Sequence, residues 1–384
     1  MNRPFIIAST LAIILALQCA AAPSQTLPAA LTLHAQKATA QAKQSGHGGR
    51  RYRYRPIIYV VTRTNSDATP SAPAHSTIWH IAWCRPGMGT RIGTGTIAPG
   101  DRKAHYGPHW AYETVRRGQA RVAINAAVFN EAVAPSVPIG GVGNGDAGWK
   151  MGSDALSKKF SVGISGDGRP TPDGYPPFRI EPMHYVYSRA GTGANAGRMI
   201  PFFSVSPLIR KHYPYGFGCV GLLAQHGRFV HDSNVGGWEE GQSLRPQVPL
   251  SRTFIAWTAA GDFFIVTAAA ASNTTGPGSY PVGDGATWGD AVALLERHLP
   301  NLLNQDYRAC LPHGRRITID GAVMFDGGPS SQLGYKRLDR RGWINLDRSA
   351  PHGDETAPSY QIPSFLYASA PAELHRRRHH RHRR

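Results

Sequence analysis

Apolar residues fall along this chain in short runs bounded by glycine, proline and aspartate, the pattern of a strand-rich domain. "TIWHIAWC", Thr77 to Cys84, alternates large apolar residues and predicts a strand. "ARVAINAAVFN", Ala120 to Asn130, predicts a buried strand that ends near Asn125 and runs into a loop. "KFSVGISGDGRP" and "GCVGLLAQHGRFV" each predict a hairpin, turning at Gly-Asp-Gly and at His-Gly. "RTFIAWTAAGDFFIVTAAA" is the clearest hairpin, two apolar strands around Ala-Gly-Asp. One helix stands out in "TWGDAVALLERHLPNL": Thr287 or Asp290 caps it, apolar residues recur at 291, 292, 294, 295 and 299, and Pro300 lies near its end. "RRITIDGAVMFD" predicts a final strand, or two strands broken at Asp320-Gly321. Further upstream, "PIIYVVTRT", Pro56 to Thr64, predicts a strand that either pairs onto the main domain or lies in an extended arm. The expected architecture is a single α+β domain of hairpins and sheet with a few helices, over residues 77–370.

The flanks read differently. Arg3 precedes an apolar run from Phe5 to Leu17, with small residues through Ala22, the layout of a signal peptide over residues 1–22. Cleavage near Ala20 to Ala22 is favoured over lipidation of Cys19, because Gln18 is a poor residue before a lipidated cysteine. Residues 23–76 read as a low-complexity basic linker, and residues 371–384 as a disordered Arg/His tail. No later run approaches the ~20 apolar residues of a membrane helix. The expected location is therefore exported, either periplasmic or secreted. Export permits disulfides, and Cys84, Cys219 and Cys310 allow one bridge plus one free thiol.

Net charge is +18 over 384 residues, but ten arginines lie in "RRYRYR" from Arg50 and "HRRRHHRHRR" from His375, and without them the charge is +8. The excess is a property of the tails, which suits contact with a polyanion such as an envelope polymer. Export argues against nucleic acid as the partner. Several catalytic patterns fail on context. "GNGDAG", Gly143 to Gly148, has the spacing of a dinucleotide fingerprint but follows no strand and opens no helix. Ser165 sits in a hairpin and lacks the GxSxG elbow. No HExxH or zinc spacing occurs. The sequence requires no cofactor; calcium at Asp326 and nearby carbonyls is conceivable, but no ligand pattern compels it.

Polar residues at the ends of apolar strands remain. Asn125 ends one strand, Arg252 opens another, and Asp326 ends a third before Gly327 and Gly328. A strand aims its end residue at a fixed point, and glycine lets a ligand approach the backbone closely. Arginine suits phosphate or carboxylate, and a carboxylate serves glycosyl transfer as acid, base or nucleophile. Asp320, also before a glycine, reads as a turn residue, and His80, Trp149 and Lys150 are weaker candidates for a pocket wall.

With these residues the sequence resembles the phosphodiester glycosidase family. "AINAAVF" resembles its "AINGGFF", "GFGCVGLLAQHGRF" its "GGPxLVxDGK"-like hairpin, and "SRTFIAWTAAGDFFIVT" its "PRTAIGxxxDGxLxLV" hairpin. "TWGDAVALLERHLPN" leading to "AVMFDGGPSSQL" resembles its helix followed by "ALNLDGGGSSxM". Ala126 and Ala127 stand where the family has Gly-Gly, Met324 at its Asn, and Pro329 at its third glycine. The resemblance implies hydrolysis of the sugar C–O bond of a glycan phosphodiester, such as an envelope polysaccharide. It implies catalytic roles for Asp326, Arg252 and Asn125 and substrate binding by Gly327, Gly328, Ser330 and Ser331. Two alternatives stay open: a non-enzymatic glycan- or polyanion-binding protein on the same fold, and a phosphodiesterase that cuts P–O.

Overall fold

The computed structural model describes residues 55–96, 120–130, 137–150, 159–189, 197–238, 245–268, 270, 283–311, 315–327, 331–336, 343–347 and 364–370. All of them belong to one unit of contacts, Leu33–Arg384. The signal peptide, most of the linker and the Arg/His tail lie outside the described residues.

This part of the chain is mostly β-sheet with few helices. The larger sheet runs, in spatial order, through Ile57–Ser66, His75–Cys84, Phe263–Ala268, Arg252–Trp257, Gly321–Met324 and Tyr215–Gln225, every neighbour antiparallel. At its far end the long Tyr215–Gln225 strand also pairs with Val142–Asn144 and with Phe160–Ile164. A second sheet holds Trp343–Asp347, Gln332–Lys336, Val122–Asn125, Ser364–Ser369 and Arg91–Thr96.

The layering explains the unbroken apolar runs. Alternate side chains of the larger sheet enter two different cores. Ile255, Trp257, Ile265 and Val323 join Ile124, Leu333 and Leu366 of the second sheet. Phe254, Ala256, Val266 and Met324 face Leu294, Leu295, Leu299 and Leu303 of the helical run. A strand buried on both faces has no polar face, so it reads as continuous hydrophobicity. Met324, at the family's Asn position, therefore packs under the helices.

Several expectations sharpen. The segment from Pro56 to Thr64 becomes the Ile57–Ser66 strand, paired in register with His75–Cys84, so the sheet reaches back before residue 77. The helical run does not stop at Pro300. It comprises Trp288–Ala293, a π turn Leu294–His298, and Leu299–Asp306, with Pro300 in the first turn of the last piece. The wide π turn falls where proline withdraws its backbone donor. Thr287 is the N-cap and Asp290 its reciprocal capping-box partner. Of the expected final strand, only Gly321–Met324 forms, because the Ile317 N–H and carbonyl bond the Asn304 side chain instead of a neighbouring strand. "GNGDAG" is a tight hairpin between Val142–Asn144 and Trp149–Lys150. All three described cysteines are buried, and no bridge forms among Cys84, Cys219 and Cys310.

Candidate functional site

The polypeptide leaves the larger sheet at Phe325, whose N–H donates to the Thr253 carbonyl, and joins the second sheet at Gln332. Asp326 and Gly327 begin this crossover; Gly328, Pro329 and Ser330 lie outside the described residues. The site candidates gather around it.

Asn125 clamps the crossover at both ends. Its Nδ2 donates to the Asp326 carbonyl (2.8 Å), and its Oδ1 accepts from the Gln332 N–H (3.0 Å) and from the Thr253 hydroxyl (3.0 Å). With 1% exposure, the side chain ties both sheets to the loop from inside the protein. The Asp326 N–H adds a bond to the Ala126 carbonyl (3.1 Å), and Asp326 Oδ1 accepts from the Gly327 N–H (2.9 Å). Ala126 and Ala127, at the family's Gly-Gly, are buried in the core between the sheets.

Arg252 is also 1% exposed. Its Nε donates to the Ala286 carbonyl (3.1 Å), and Nη2 to the carbonyls of Arg245 (2.5 Å) and Val248 (3.1 Å). The indole of Trp238 lies under the guanidinium, 5.7 Å from ring centre to Cζ. Burial lowers the arginine pKa to about 10, against the charges of Asp326 and Asp290, so it remains a cation at neutral pH. Gly327 presses against this group: a Cβ there would meet the Ser251 carbonyl at 2.7 Å and Arg252 Nη1 at 3.5 Å. It is the Ser251 carbonyl that requires glycine here, and the arginine then lies at ordinary contact distance.

Three neighbours, Cys219, Lys159 and Trp238, carried no signal in the sequence. Cys219 sits at a register shift of the Tyr215–Gln225 strand with φ +56, held there by the close approach of Gly218 to Gly140. Burial pushes its thiol up to about 12, with Lys159 opposing and Asp326 reinforcing; the register agrees, since Gly221 pairs with Met324 and Val220 with Phe160, so Cys219 lies just beyond both pairs. Lys159 is 3% exposed and donates to the carbonyl of Gly237, the residue before Trp238. Arg252 and Lys159 are thus two buried cations, the first packed against Gly327 and the second bonded next to Trp238. Ser331 is fully buried, and its hydroxyl finds no hydrogen-bond partner among the described residues; the same holds for Trp238 Nε1.

The weaker candidates lie elsewhere. Asp320 is a turn residue at the opposite end of the Gly321–Met324 strand, its carbonyl accepting from Gly227 N–H and its N–H donating to Trp257. His80 Nδ1 meets the Tyr59 hydroxyl at 2.6 Å, Trp149 Nε1 donates to the Tyr213 carbonyl, and Lys150 is exposed. Among the described residues no group of three His, Cys, Asp or Glu side chains converges as a metal site would require.

No family model matches the chain, and no curated protein matches it. Solved structures do. The catalytic domain of zebrafish N-acetylglucosamine-1-phosphodiester alpha-N-acetylglucosaminidase, auto-inhibited by its pro-peptide, is similar with a TM-score of 0.50 and 12% identity, over 88% of this chain and 88% of that one. A hypothetical protein from Synechocystis has a TM-score of 0.44 and 14% identity over 82% of this chain and 64% of its own. A Burkholderia pseudomallei K96243 protein described as exported has 0.37 and 11% over 78% and 75%. At these identities the likeness is one of fold. No helix among the described residues is long and apolar enough to cross a membrane.

Proposed function

We propose that this chain is an exported hydrolase that cleaves the sugar–phosphate C–O bond of a glycan phosphodiester. The observation that carries the reading is the carboxylate of Asp326 just past a strand end, with the next residue, Gly327, packed against the buried guanidinium of Arg252. The fold it shares with the zebrafish alpha-N-acetylglucosaminidase catalytic domain supports the same reading. A phosphodiester leaves well once its charge is held, so cationic surroundings matter more than a proton donor. Arg252 supplies that charge, and Gly327, Gly328, Ser330 and Ser331 supply amides and hydroxyls to the phosphate or sugar. Asp326 stabilises the oxocarbenium-like carbon and either activates water or attacks it directly. Asn125 serves by holding Asp326 in place. The C–O bond breaks toward the phosphate oxygen, which departs on the phosphomonoester, and water supplies the new sugar hydroxyl.

Export through the 1–22 signal peptide and polyanion contact through the 371–384 tail belong to this reading. Hydrolysis in 18O water tests it: label in the sugar is expected, and label in the phosphate would assign P–O cleavage instead. One observation favours a second reading, a glycan-binding protein without turnover. Nε and Nη2 of Arg252 are engaged by three backbone carbonyls, as in a structural arginine. Absence of any product from a panel of sugar phosphodiesters would select that reading.

A further inference from the structure

Of the five large apolar or aromatic side chains exposed among the described residues, three belong to one hairpin, His184–Arg189 with Met199–Ser204. Tyr185 is 46% exposed, Tyr187 64% and Met199 58%. Side chains alternate along a strand, and residues paired across it share a face. The register sets Tyr185 opposite Phe203 and places Tyr187 and Met199 on the same face. Tyr185 meets Tyr187 edge-on with ring centres 5.2 Å apart, and meets Phe203 in the same way at 5.2 Å. The hairpin pairs with no other strand among the described residues, so this aromatic face stands outside both sheets.

The row of rings leads to the candidate site. Met183, the residue before the hairpin, packs on Cys219, with Phe203, Val128 and Ile139 around them. Cys219 in turn feels the charge of Asp326. Packing therefore runs from Tyr187 and Tyr185 through Phe203 to buried Met183 and Cys219, and Gly221 pairs with Met324, so Cys219 and Asp326 lie just beyond the same pair of strands. The sequence from His184 to Ser204 contains two arginines and a histidine but no acidic residue, a charge balance that suits an anionic chain.

We propose that this hairpin is a saccharide-stacking platform, which holds the glycan chain of an anionic phosphodiester polymer against Tyr185 and Tyr187 as it enters the site. Sugar rings present C–H faces that stack on aromatic rings, and tyrosine offers a rigid apolar face with a polar rim. The proposal rests on the phosphodiester reading for the charge of its ligand, and its test is direct binding, so absence of turnover leaves the result intact. In the full chain carrying Asp326→Asn, affinity for phosphomannan would be compared with affinity for unphosphorylated mannan and for inorganic polyphosphate.

The expected result is that phosphomannan binds most tightly. Tyr185→Ala with Tyr187→Ala is expected to weaken its binding about tenfold with an unchanged melting temperature. The double Tyr→Phe protein is expected to retain the affinity, because the ring face rather than the hydroxyl makes the contact. The proposal is overturned if the double Ala protein binds phosphomannan as tightly as its parent, or if phosphomannan does not bind. Polyphosphate binding that is equally tight and equally sensitive to the Ala changes would also overturn it, because the surface would then read charge alone.

Discussion

Two carboxylates act on the Arg252 guanidinium, and they are built differently. Asp290 is saturated inside the fold. Its oxygens take the Ser66 hydroxyl (2.5 Å), His75 Nε2 (2.7 Å), and the Thr287 N–H and hydroxyl (2.7 Å each), and it is 8% exposed. It caps the helical run and joins that run to the Ile57–Cys84 hairpin. Asp326 is held through its backbone, by Asn125 and Ala126, at a partly buried position in the crossover. A carboxylate fixed by side-chain bonds on every oxygen works as a structural joint. Asp326 is anchored mainly through its main chain, with Oδ1 accepting from the Gly327 N–H, so its position is set by the crossover rather than by a ring of side chains.

Exchanging each carboxylate for its amide gives the largest contrast. Asp326→Asn is expected to lower turnover of a sugar phosphodiester at least about 1000-fold. The same change should alter the unfolding free energy from urea titration by under about 1 kcal/mol. Asp290→Asn is expected to do the reverse. Loss of the charge from a buried, multiply bonded pair should cost about 3 kcal/mol in urea unfolding. Retained turnover in the Asp326 variant, or an Asp290 variant as stable as the parent, would break the comparison.

Asn125 sharpens it. Asn125→Asp keeps the shape but replaces the donor to the Asp326 carbonyl with an acceptor. The loss of one buried bond, with repulsion in its place, should cost about 2 kcal/mol. Because the clamp holds the crossover at two points, turnover should fall in the same protein while the small-molecule KM changes less. A stability loss with full kcat would reduce Asn125 to a joint like Asp290.

Much of the fold was legible because burial on two faces leaves a simple trace. The hairpins at Arg252–Ala268 and Tyr215–Phe229 read directly as paired apolar runs, the second with His226 and Gly227 at positive φ in its turn. What the sequence could not state was partnership. Pro56 to Thr64 read as a strand with or without a neighbour, and the partner proved to be the strand 21 residues beyond in the hydrogen bond of Tyr59 to His80. The run before Asp320 has strand composition, yet Asn304 captures Ile317 and no ladder forms. At the site, Asn125, Arg252 and Asp326 were visible as polar strand ends. The clamping role of Asn125 was not visible, since its partners lie 128, 201 and 207 residues away. Lys159, Trp238 and Cys219 carry no local pattern at all, and only the folded chain brings them to Arg252 and Asp326.

The smallest effect is also the most specific to the structural carboxylate. His75 is raised from its usual 6.5, first by its hydrogen bond to Asp290, against burial and with help from the Pro73 carbonyl and the charges of Asp290 and Asp284. Burial pushes Asp290 up, but the bonds from His75, Ser66 and Thr287 outweigh it and hold the carboxyl below 3.8. A raised histidine stabilises the fold fully below its unfolded pKa, and the contribution fades as pH rises through the folded value. A lowered carboxylate contributes above its unfolded pKa and fades as pH falls through the folded one. The pair is therefore at full strength between about pH 4 and 6.5 and weaker above. The stability difference between the parent and His75→Gln should be larger at pH 5.5 than at pH 8.5. Introducing Asp326→Asn into both proteins should leave that difference unchanged. A difference that stays flat or grows with pH would mean that His75 binds Asp290 as a neutral ring, and the joint at Asp290 would then rest on hydrogen bonds without an ion pair.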